Sequence, residues 1–268
     1  MNDKQHPSRR TVVAKLATLG AAARSAMRRY PEDVATSIKA RNAEISAAKL
    51  GEEQSLRDRW SQIPGEAGRV SAVAWLGHCS VLLKIGSTTV LTDPVFSNRI
   101  GVRLGPLTIG PSRVGQLPPH VDQLPRADVV LLSHAHFDHL DRPTLQQLVG
   151  KHTQVVTAKG TRRLVPRGFG DVRELDWEQE LAVCDLNVRT VRPAHWGART
   201  VWDRHRGFNS YIIAANGAAG QSEAERVLFA GDTAATNAFD GLGPFAVGIF
   251  GIGAYLPWID AHANPEEA

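Results

Sequence analysis

Four side chains of the kind that bind metal ions fall within six consecutive residues of this 268-residue chain. The segment from His134 to His139 reads H-A-H-F-D-H and follows, after one serine, the apolar run Val129–Leu132. Imidazole and carboxylate are common protein ligands of Zn²⁺ and related metals. Alternate strand residues face the same side, so His134 and His136 can share one ion while the following turn carries Asp138 and His139 to a second. The spacing therefore predicts a metal centre that can hold two ions.

A further imidazole and a further carboxylate stand at the ends of two later apolar runs. His195 follows the run Val188–Val191, and Asp232 follows Gly231 at the end of another. A carboxylate can bridge two cations. A single His or Asp at a strand end is more often a cap or a loop hydrogen bonder. The prediction of a shared site therefore depends on all the ligands coming from strand ends, which a sandwich fold can gather.

Other chemistries find less support in the sequence. No G-x-S-x-G segment is present, which argues against a Ser-His-Asp hydrolase. The only cysteines, Cys79 and Cys184, form no C-x-x-C pair, which excludes a disulfide scaffold and a cysteine zinc finger; both are interpreted as small buried residues in strands. His78 is interpreted as a structural hydrogen bonder, and Asp93 either caps a turn or orients a ligand histidine.

The elements that would position these residues are short β-rich runs that begin near Val70 and are separated by Gly, Pro and Asp. The candidate strands are Ser71–Leu76, Ser80–Ile85, Thr88–Thr92, Asp128–Leu132, Gln154–Thr157, Leu186–Arg192, Ser210–Ala214, Arg226–Ala230 and Ala246–Phe250. Helices are predicted between strands only at Arg142–Val149 and Gly160–Val165. Because strands outnumber helices, a layered α+β sandwich is favoured over a doubly wound sheet.

The net charge of +4 is unevenly distributed along the chain. Residues 1–60 hold 12 basic and 7 acidic side chains, a balance of +5, and the remaining residues hold 19 and 20, a balance of −1. The body of the protein therefore has no overall attraction for a polyanion, which argues against a nucleic-acid partner. An apolar content of 43% excludes wholesale disorder.

Residues 1–65 are predicted to form a basic helical extension that precedes a domain over 66–268. The segment Ser8–Val13, S-R-R-T-V-V, resembles a twin-arginine export signal, but the apolar run after it is short and interrupted. A basic amphipathic helix is the favoured interpretation, which predicts a cytoplasmic protein whose residues 1–60 contact anionic membranes. The uncharged stretch Gly241–Ile259 contains five glycines and two prolines, so a strand running into a loop is favoured over a membrane span.

The chain resembles the metallo-β-lactamase superfamily, whose H-x-H-x-D-H signature is matched from His134 to His139. Other segments resemble more specifically the branch of the N-acylphosphatidylethanolamine-hydrolysing phospholipases D and its lactonase-like neighbours. These segments are W-L-G-H-C-S at 75–80, L-T-D-P-V-F-S at 91–97, G-P-S-R at 110–113, E-L-D-W at 174–177, F-A-G-D-T at 229–233, G-P-F at 243–245, I-G-A-Y at 252–255 and N-P-E-E-A at 264–268.

The resemblance implies a four-layer αββα sandwich with two zinc ions. By position, one ion would be held by His134, His136 and His195 and the other by Asp138 and His139. Asp232 would bridge the pair, and His262 corresponds to a family position near the substrate, so that Asp138 and His262 are the predicted catalytic residues. The implied reaction uses a metal-bridging hydroxide to cleave the phosphodiester of an N-acylated glycerophospholipid into phosphatidic acid and an N-acylethanolamine.

Two alternatives stay open: a hydrolase of sugar phosphate or other lactones, and a membrane-associated binding protein with an impaired metal site. The ending Asn264–Ala268 is typical of a first helical turn, with Asn as N-cap and Pro after it. We therefore expect this sequence to lack a last helix and strand. By resemblance that strand supplies a histidine to the second zinc, so the second site is expected to be incomplete.

Overall fold

The computed structural model describes residues 55–104, 107–113, 120–200, 202–216, 225–252 and 262–264. These residues belong to one compact unit, residues 54–268. Most of the predicted extension, including the twin-arginine-like segment, lies outside the described residues, as do Tyr255, Trp258 and the residues after Asn264. The predicted boundary at residue 65 stays a prediction.

Short strands dominate the described part of the chain. In chain order they are Val70–Gly77 (β1), Ser80–Ile85 (β2), Thr88–Thr92 (β3), Val102–Leu104 (β4), Leu107–Ile109 (β5), Val129–Leu132 (β6), Gln154–Ala158 (β7), Asp171–Leu175 (β8), Glu180–Val183 (β9), Leu186–Val191 (β10), Ser210–Ala215 (β11), Arg226–Phe229 (β12) and Val247–Ile249 (β13). In the described residues, the α-helices Leu56–Gln62 (α1) and Arg142–Gln147 (α2) and short 3₁₀ turns at Val121–Gln123 and Arg162–Leu164 connect or cover the strands.

The strands form two main sheets. The first has the order β1-β2-β3-β6-β7-β8, antiparallel from β1 to β3 and parallel from β3 to β8. The second has the order β13-β12-β11-β10-β9, antiparallel except for the parallel pair β12 and β13. Strands β4 and β5 form a separate two-stranded ribbon.

An apolar layer joins the two sheets face to face. Alternate residues of a strand face opposite sides, so Leu83 and Leu131 of the first sheet share the central cluster with Phe229 of the second. Their neighbours Leu82 and Leu132 belong to a second cluster on the outer side of the first sheet. Burial on both faces explains why β6 is an uninterrupted apolar run.

The outer faces of the two sheets are covered differently. Helix α1 begins at the N-cap Ser55, whose hydroxyl accepts from the Asp58 amide, and it buries Trp60 against the first sheet, where the indole donates to Thr89. Helix α2 covers the same face with Leu145. On the second sheet, apolar residues of the loop between β12 and β13, such as Phe239, form the described cover.

The predicted α+β sandwich is confirmed, and all nine predicted strands are present with ends shifted by at most one residue. The helix predicted at Gly160–Val165 is only the 3₁₀ turn Arg162–Leu164. Four strands were not predicted, namely β4, β5, β8 and β9. Among the residues that the structure describes, no helix has both the length and the apolar character needed to cross a membrane.

Candidate metal centre

Strand direction brings the candidate ligands to one place. Strands β10 and β12 are both antiparallel to β11, which lies between them, so both end at the same edge of the second sheet. His195 and Asp232 follow these two ends. Strands β3 and β6 are parallel neighbours and likewise end together, followed by Asp93 and by the segment His134–His139.

Four side chains from three of these loops form one cluster. The ligand atoms of His134, His136, His195 and Asp232 all lie within 4.8 Å of one another. His134 Nε2 lies 2.7 Å and His195 Nε2 lies 3.4 Å from His136 Nδ1. Asp232 Oδ2 lies 4.0 Å from His134 Nε2 and 3.8 Å from His195 Nε2. Three nitrogens and one oxygen at this spacing fit a single tetrahedrally coordinated metal ion.

The protonation states of these imidazoles suit metal binding. Burial, followed by repulsion from neighbouring imidazoles, holds the pKa of His134 well below its usual value. Burial also lowers the pKa of His136 to about 4 and that of His195 to about 4. Neutral imidazole is the form that ligates metals, so these residues keep a lone pair available at neutral pH.

A second group surrounds His139. His139 Nε2 lies 3.0 Å from Asp232 Oδ2 and 4.0 Å from Asp138 Oδ2, and His262 Nδ1 lies 3.4 Å from Asp232 Oδ2. Burial disfavours the imidazolium of His139, but the carboxylates of Asp232 and Asp138 raise its pKa well above the usual range. Asp232 is thus shared between the two groups, where the sequence-based prediction put a bridging ligand.

Asp93 orients the buried part of the centre. Its carboxylate lies 2.7 Å from His139 Nδ1 and accepts from Ser133 through the amide at 2.7 Å and the hydroxyl at 2.5 Å. The same hydroxyl lies 2.8 Å from His134 Nδ1. Of the two roles left open by the sequence, Asp93 therefore takes the orienting one, because its contact with Nδ1 leaves Nε2 of His139 to face Asp232.

Arg199 fixes both ends of the ligand-bearing loop, a role the sequence did not suggest. Its Nη1 donates to the carbonyls of Ala135 at 2.9 Å and Leu140 at 2.8 Å. The guanidinium also lies 4.0 Å from the centre of the Phe137 ring. Burial lowers the pKa of Arg199 to about 10, so the side chain stays charged at neutral pH.

Thr233 ties together the loops on the second-sheet side. Its hydroxyl accepts from the Ala194 amide at 3.0 Å, and its carbonyl accepts from the Ala263 amide at 2.6 Å. The Ala234 amide donates to the Ala194 carbonyl at 3.0 Å. Ala194, Thr233 and Ala263 directly neighbour His195, Asp232 and His262 in the sequence. These hydrogen bonds therefore fix the backbone next to all three functional residues.

The two cysteines do not fit the sequence-based interpretation. Cys79 lies in the two-residue turn between β1 and β2 and is only half-buried, and Cys184 is exposed in the turn between β9 and β10. Beside Cys79, His78 Nε2 lies 3.5 Å from Asp138 Oδ2. Burial disfavours the charged form of His78, but hydrogen bonds to Asp138 and Cys79 outweigh it and raise the pKa to about 10.

A cavity of about 440 Å³ opens beside His195. Arg192, Trp196 and Phe208 line it, and the Arg192 guanidinium lies 4.2 Å above the ring of Trp177. The cavity therefore offers apolar walls and a positive charge next to the metal ligands, which suits a substrate with both apolar and anionic parts. Trp196 is half-exposed and forms part of the cavity wall.

A two-sheet sandwich with histidines and aspartates gathered at one edge defines a metal-dependent hydrolase. A model of the Beta-lactamase superfamily domain matches residues 88–268, and the chain belongs to that superfamily. Two solved structures share its fold, each with a TM-score of 0.51. Igni18, a metallo hydrolase from Ignicoccus hospitalis, is 16% identical over 73% of this chain and 74% of its own chain. An isothiocyanate hydrolase from Delia radicum gut bacteria is 19% identical over 72% of this chain and 77% of its own chain.

Similarity in sequence extends to several curated proteins. An uncharacterized protein of Mycobacterium tuberculosis is 36% identical over 220 residues, 76% of this chain and 54% of its own length. N-acyl-phosphatidylethanolamine-hydrolyzing phospholipase D 1 of Caenorhabditis elegans is 29% identical over 72% of this chain and 58% of its own length. The mitochondrial N-acyl-phosphatidylethanolamine-hydrolyzing phospholipase D of Saccharomyces cerevisiae is 30% identical over 59% of this chain and 33% of its own length. The chain thus spans about half the length of the mycobacterial relative.

Proposed function

We propose that this protein is a zinc-dependent phosphodiesterase of the N-acylphosphatidylethanolamine phospholipase D type. The observation that carries the proposal is the convergence of His134, His136, His139 and His195 on the single carboxylate of Asp232. The relatives in yeast and Caenorhabditis elegans supply the substrate class.

The donor set fits zinc, because borderline-soft imidazole nitrogens dominate the first group and carboxylate oxygens face the second. In the proposed centre His134, His136 and His195 hold one ion, Asp138 and His139 serve the other, and Asp232 contacts both. A zinc pair would supply hydroxide at neutral pH and neutralise charge on the attacked phosphate.

Asp138 and His262 take the proton-handling roles in this proposal. The Asp138 side chain is 40% exposed. Burial disfavours its charged form, but the imidazoles of His139 and His78 outweigh burial and hold the pKa of the carboxyl below the usual range. It can therefore accept a hydrogen bond from an attacking water. His262 Nδ1 lies 3.4 Å from Asp232 Oδ2, and its side chain stays partly open to solvent, so it can protonate a leaving alkoxide.

Substrate orientation follows from the cavity beside His195. The Arg192 guanidinium can pair with a phosphate or other anionic group, and Trp196 and Phe208 can contact acyl chains. A lactone with a phosphate group shares part of this chemistry, so the nearest rival activity is lactone hydrolysis.

Product analysis separates the two activities. The full chain loaded with zinc is incubated with N-acylphosphatidylethanolamine, with simpler phosphodiesters and with a panel of lactones. We expect phosphatidic acid and N-acylethanolamine in equal amounts, and loss of both products in Asp232→Asn. Turnover of lactones alone would replace the phosphodiesterase proposal with the lactonase one. Failure to retain zinc, with no turnover of any substrate, would favour the membrane-associated binding protein with an impaired metal site.

The proposed location is the cytoplasm, with residues 1–60 touching anionic lipid. The net charge of +5 in that segment favours such contact. Deletion of residues 1–54 keeps α1 and its buried Trp60. We expect this deletion to reduce binding to phosphatidylglycerol vesicles several-fold at low salt, and equal binding would remove the proposal. A cleaved, exported product in the native host would favour the twin-arginine alternative.

A further inference from the structure

A third cluster of metal-ligating side chains adjoins the centre, and no role has yet been assigned to two of its members. The ligand atoms of His78, Cys79 and His139 all lie within 4.8 Å of one another. His139 is common to this cluster and to the proposed second metal position. The other two residues form the turn between β1 and β2, far in sequence from the H-x-H-x-D-H segment.

The turn holds both side chains against the second metal position. The Cys79 sulfur lies 3.2 Å from the Asp138 carbonyl and 3.6 Å from the Asp93 carbonyl, so it touches both loops that build this half of the centre. His78 has a φ of 52°, a left-handed conformation that costs free energy for a residue with a Cβ atom. In this conformation its Nε2 lies 3.5 Å from Asp138 Oδ2.

A positive side chain lies beside the same turn. A Cβ atom built on Gly77 would lie 3.3 Å from Nη1 of Arg113. Arg113 is half-buried, and its Nε has no hydrogen-bond partner among the described residues. The present bonds of the thiol are weak S–H contacts to carbonyls, which cost little to give up.

We propose that the Cys79 thiolate and the His78 imidazole are ligands of the second metal ion, together with His139. This inference rests on the proposed metal centre and adds soft donors to a position otherwise served by Asp138 and Asp232. On binding, the metal forms bonds to the Cys79 sulfur and to one nitrogen each of His78 and His139, and the thiol proton and one proton from each of these imidazolium rings are released to solvent. The mixed set should favour Zn²⁺, Co²⁺ and Cd²⁺ over Mg²⁺ and Mn²⁺ at this position.

Titration with Co²⁺ tests directly whether a cysteine sulfur binds the metal. The metal-free full chain is titrated with Co²⁺, bound cobalt is counted by equilibrium dialysis, and near-ultraviolet absorption is followed for the thiolate-to-cobalt charge-transfer band. The chain has two cysteines, so Cys184→Ser is the matched control for Cys79→Ser. We expect the band to develop with the second equivalent in the wild type and in Cys184→Ser, and to be lost in Cys79→Ser.

The outcomes separate this inference from the proposed function. Two bound cobalt ions without the band, or a band that survives Cys79→Ser, would overturn the sulfur ligand and leave the metal centre intact. No bound cobalt at all would overturn both. The variant His78→Asn, which tolerates positive φ, should weaken the second cobalt at least tenfold, and unchanged affinity would remove His78 from the ligand set.

Alkylation of the wild-type protein gives a second test, which does not depend on whether a substituted protein folds. Iodoacetamide modification of Cys79 and Cys184 is followed by mass spectrometry with and without two equivalents of Zn²⁺. We expect zinc to slow modification of Cys79 at least tenfold and to leave the exposed Cys184 unchanged, with a chelator restoring the original rate. Equal rates at Cys79 in both states would overturn the proposal.

Discussion

The two sheets position their metal ligands by different physical means. On the first-sheet side, a buried carboxylate orients the ligands through side-chain contacts, since Asp93 reaches both Ser133 and His139. On the second-sheet side, the loops next to His195 and Asp232 are held mainly by backbone hydrogen bonds around Thr233. A side-chain network fixes a ring orientation and its tautomer, whereas a backbone network fixes only the course of the chain.

This difference predicts unequal sensitivity to substitution. A buried charge that loses its partners is costly, whereas a single neutral hydrogen bond contributes about 1 kcal/mol. The first-sheet side should therefore control metal affinity, and the second-sheet side should tolerate small changes. The following predictions test this asymmetry, beginning with the residue that joins both sides.

The largest effect is expected from His136→Ala, because His136 Nδ1 contacts both His134 and His195. Removal of this ligand should lower zinc affinity by more than the roughly 10–100-fold that loss of an outer partner costs. Competition with a chromophoric chelator measures the change. The exposed His152 gives a matched control in His152→Ala, and full zinc retention by His136→Ala would show that the centre lies elsewhere.

A smaller effect is expected from Asp93→Asn, which keeps the shape of the side chain but places an amide where a carboxylate accepted hydrogen bonds. We expect zinc affinity to fall roughly 10–100-fold and the metal-free protein to lose about 1–3 kcal/mol of unfolding free energy. Chelator competition and urea unfolding measure the two changes. Asp122→Asn, on an exposed carboxylate, should change neither value. An Asp93→Asn variant with wild-type affinity would remove the asymmetry.

The metal-free protein should lose stability on acidification. In the folded state burial lowers the pKa of His136 and His195 to about 4, below the usual 6.5, so the unfolded chain takes up protons first as the pH falls. From these two groups the free energy of unfolding should drop by about 3 kcal/mol between pH 6.5 and pH 5. The raised pKa values of His78 and His139 act mainly above pH 6.5 and oppose this drop only slightly.

Urea unfolding of metal-free protein at several pH values tests this expectation. The slope between pH 5 and pH 6.5 should shrink in His136→Ala, which removes one of the responsible groups. A flat profile in the wild type would show that these imidazoles are not held neutral by burial.

The smallest effect is expected from Thr233→Val. The variant removes the acceptor of the Ala194 amide but keeps the Thr233 backbone bond to Ala263. We expect a loss of about 1 kcal/mol in unfolding free energy and less than a tenfold change in zinc affinity. Thr200→Val, at an exposed loop hydroxyl, is the control. A loss of zinc affinity as large as that of Asp93→Asn would show that both sides are equally sensitive.

The sequence predicted the strands that carry apolar runs, including the edge strands β1 and β13, and missed the edge strands that carry mostly polar residues. Strand β6 has four buried residues and is evident as an apolar run, but β8 and β9 lie at sheet edges and carry exposed polar side chains. Such strands are held by backbone hydrogen bonds to one neighbour, which leave little trace in residue type. The same reason explains why the ribbon β4–β5 was missed.

The predicted ligand set depended on local spacing and on strand ends, and the structure brings those side chains together. What spacing could not reveal were contacts between segments distant in the sequence. Ser133 and Asp93 are 40 residues apart, and the Tyr211 hydroxyl donates at 2.7 Å to the Leu132 carbonyl at the end of β6, 79 residues away. Only the packing of the two sheets shows that Tyr211 anchors the strand from which the ligands extend.

The direction of β10 places a labelling site, Cys184, at a defined distance from the metal centre. This strand begins beside the exposed Cys184 and ends shortly before His195, so its six residues separate that thiol from the centre by roughly 20 Å. A nitroxide spin label attached to Cys184 would lie outside the centre but close enough for a paramagnetic ion in the centre to broaden its signal. Entry of Co²⁺ or Mn²⁺ could then be timed from the opposite edge of the sheet by the broadening of the nitroxide signal.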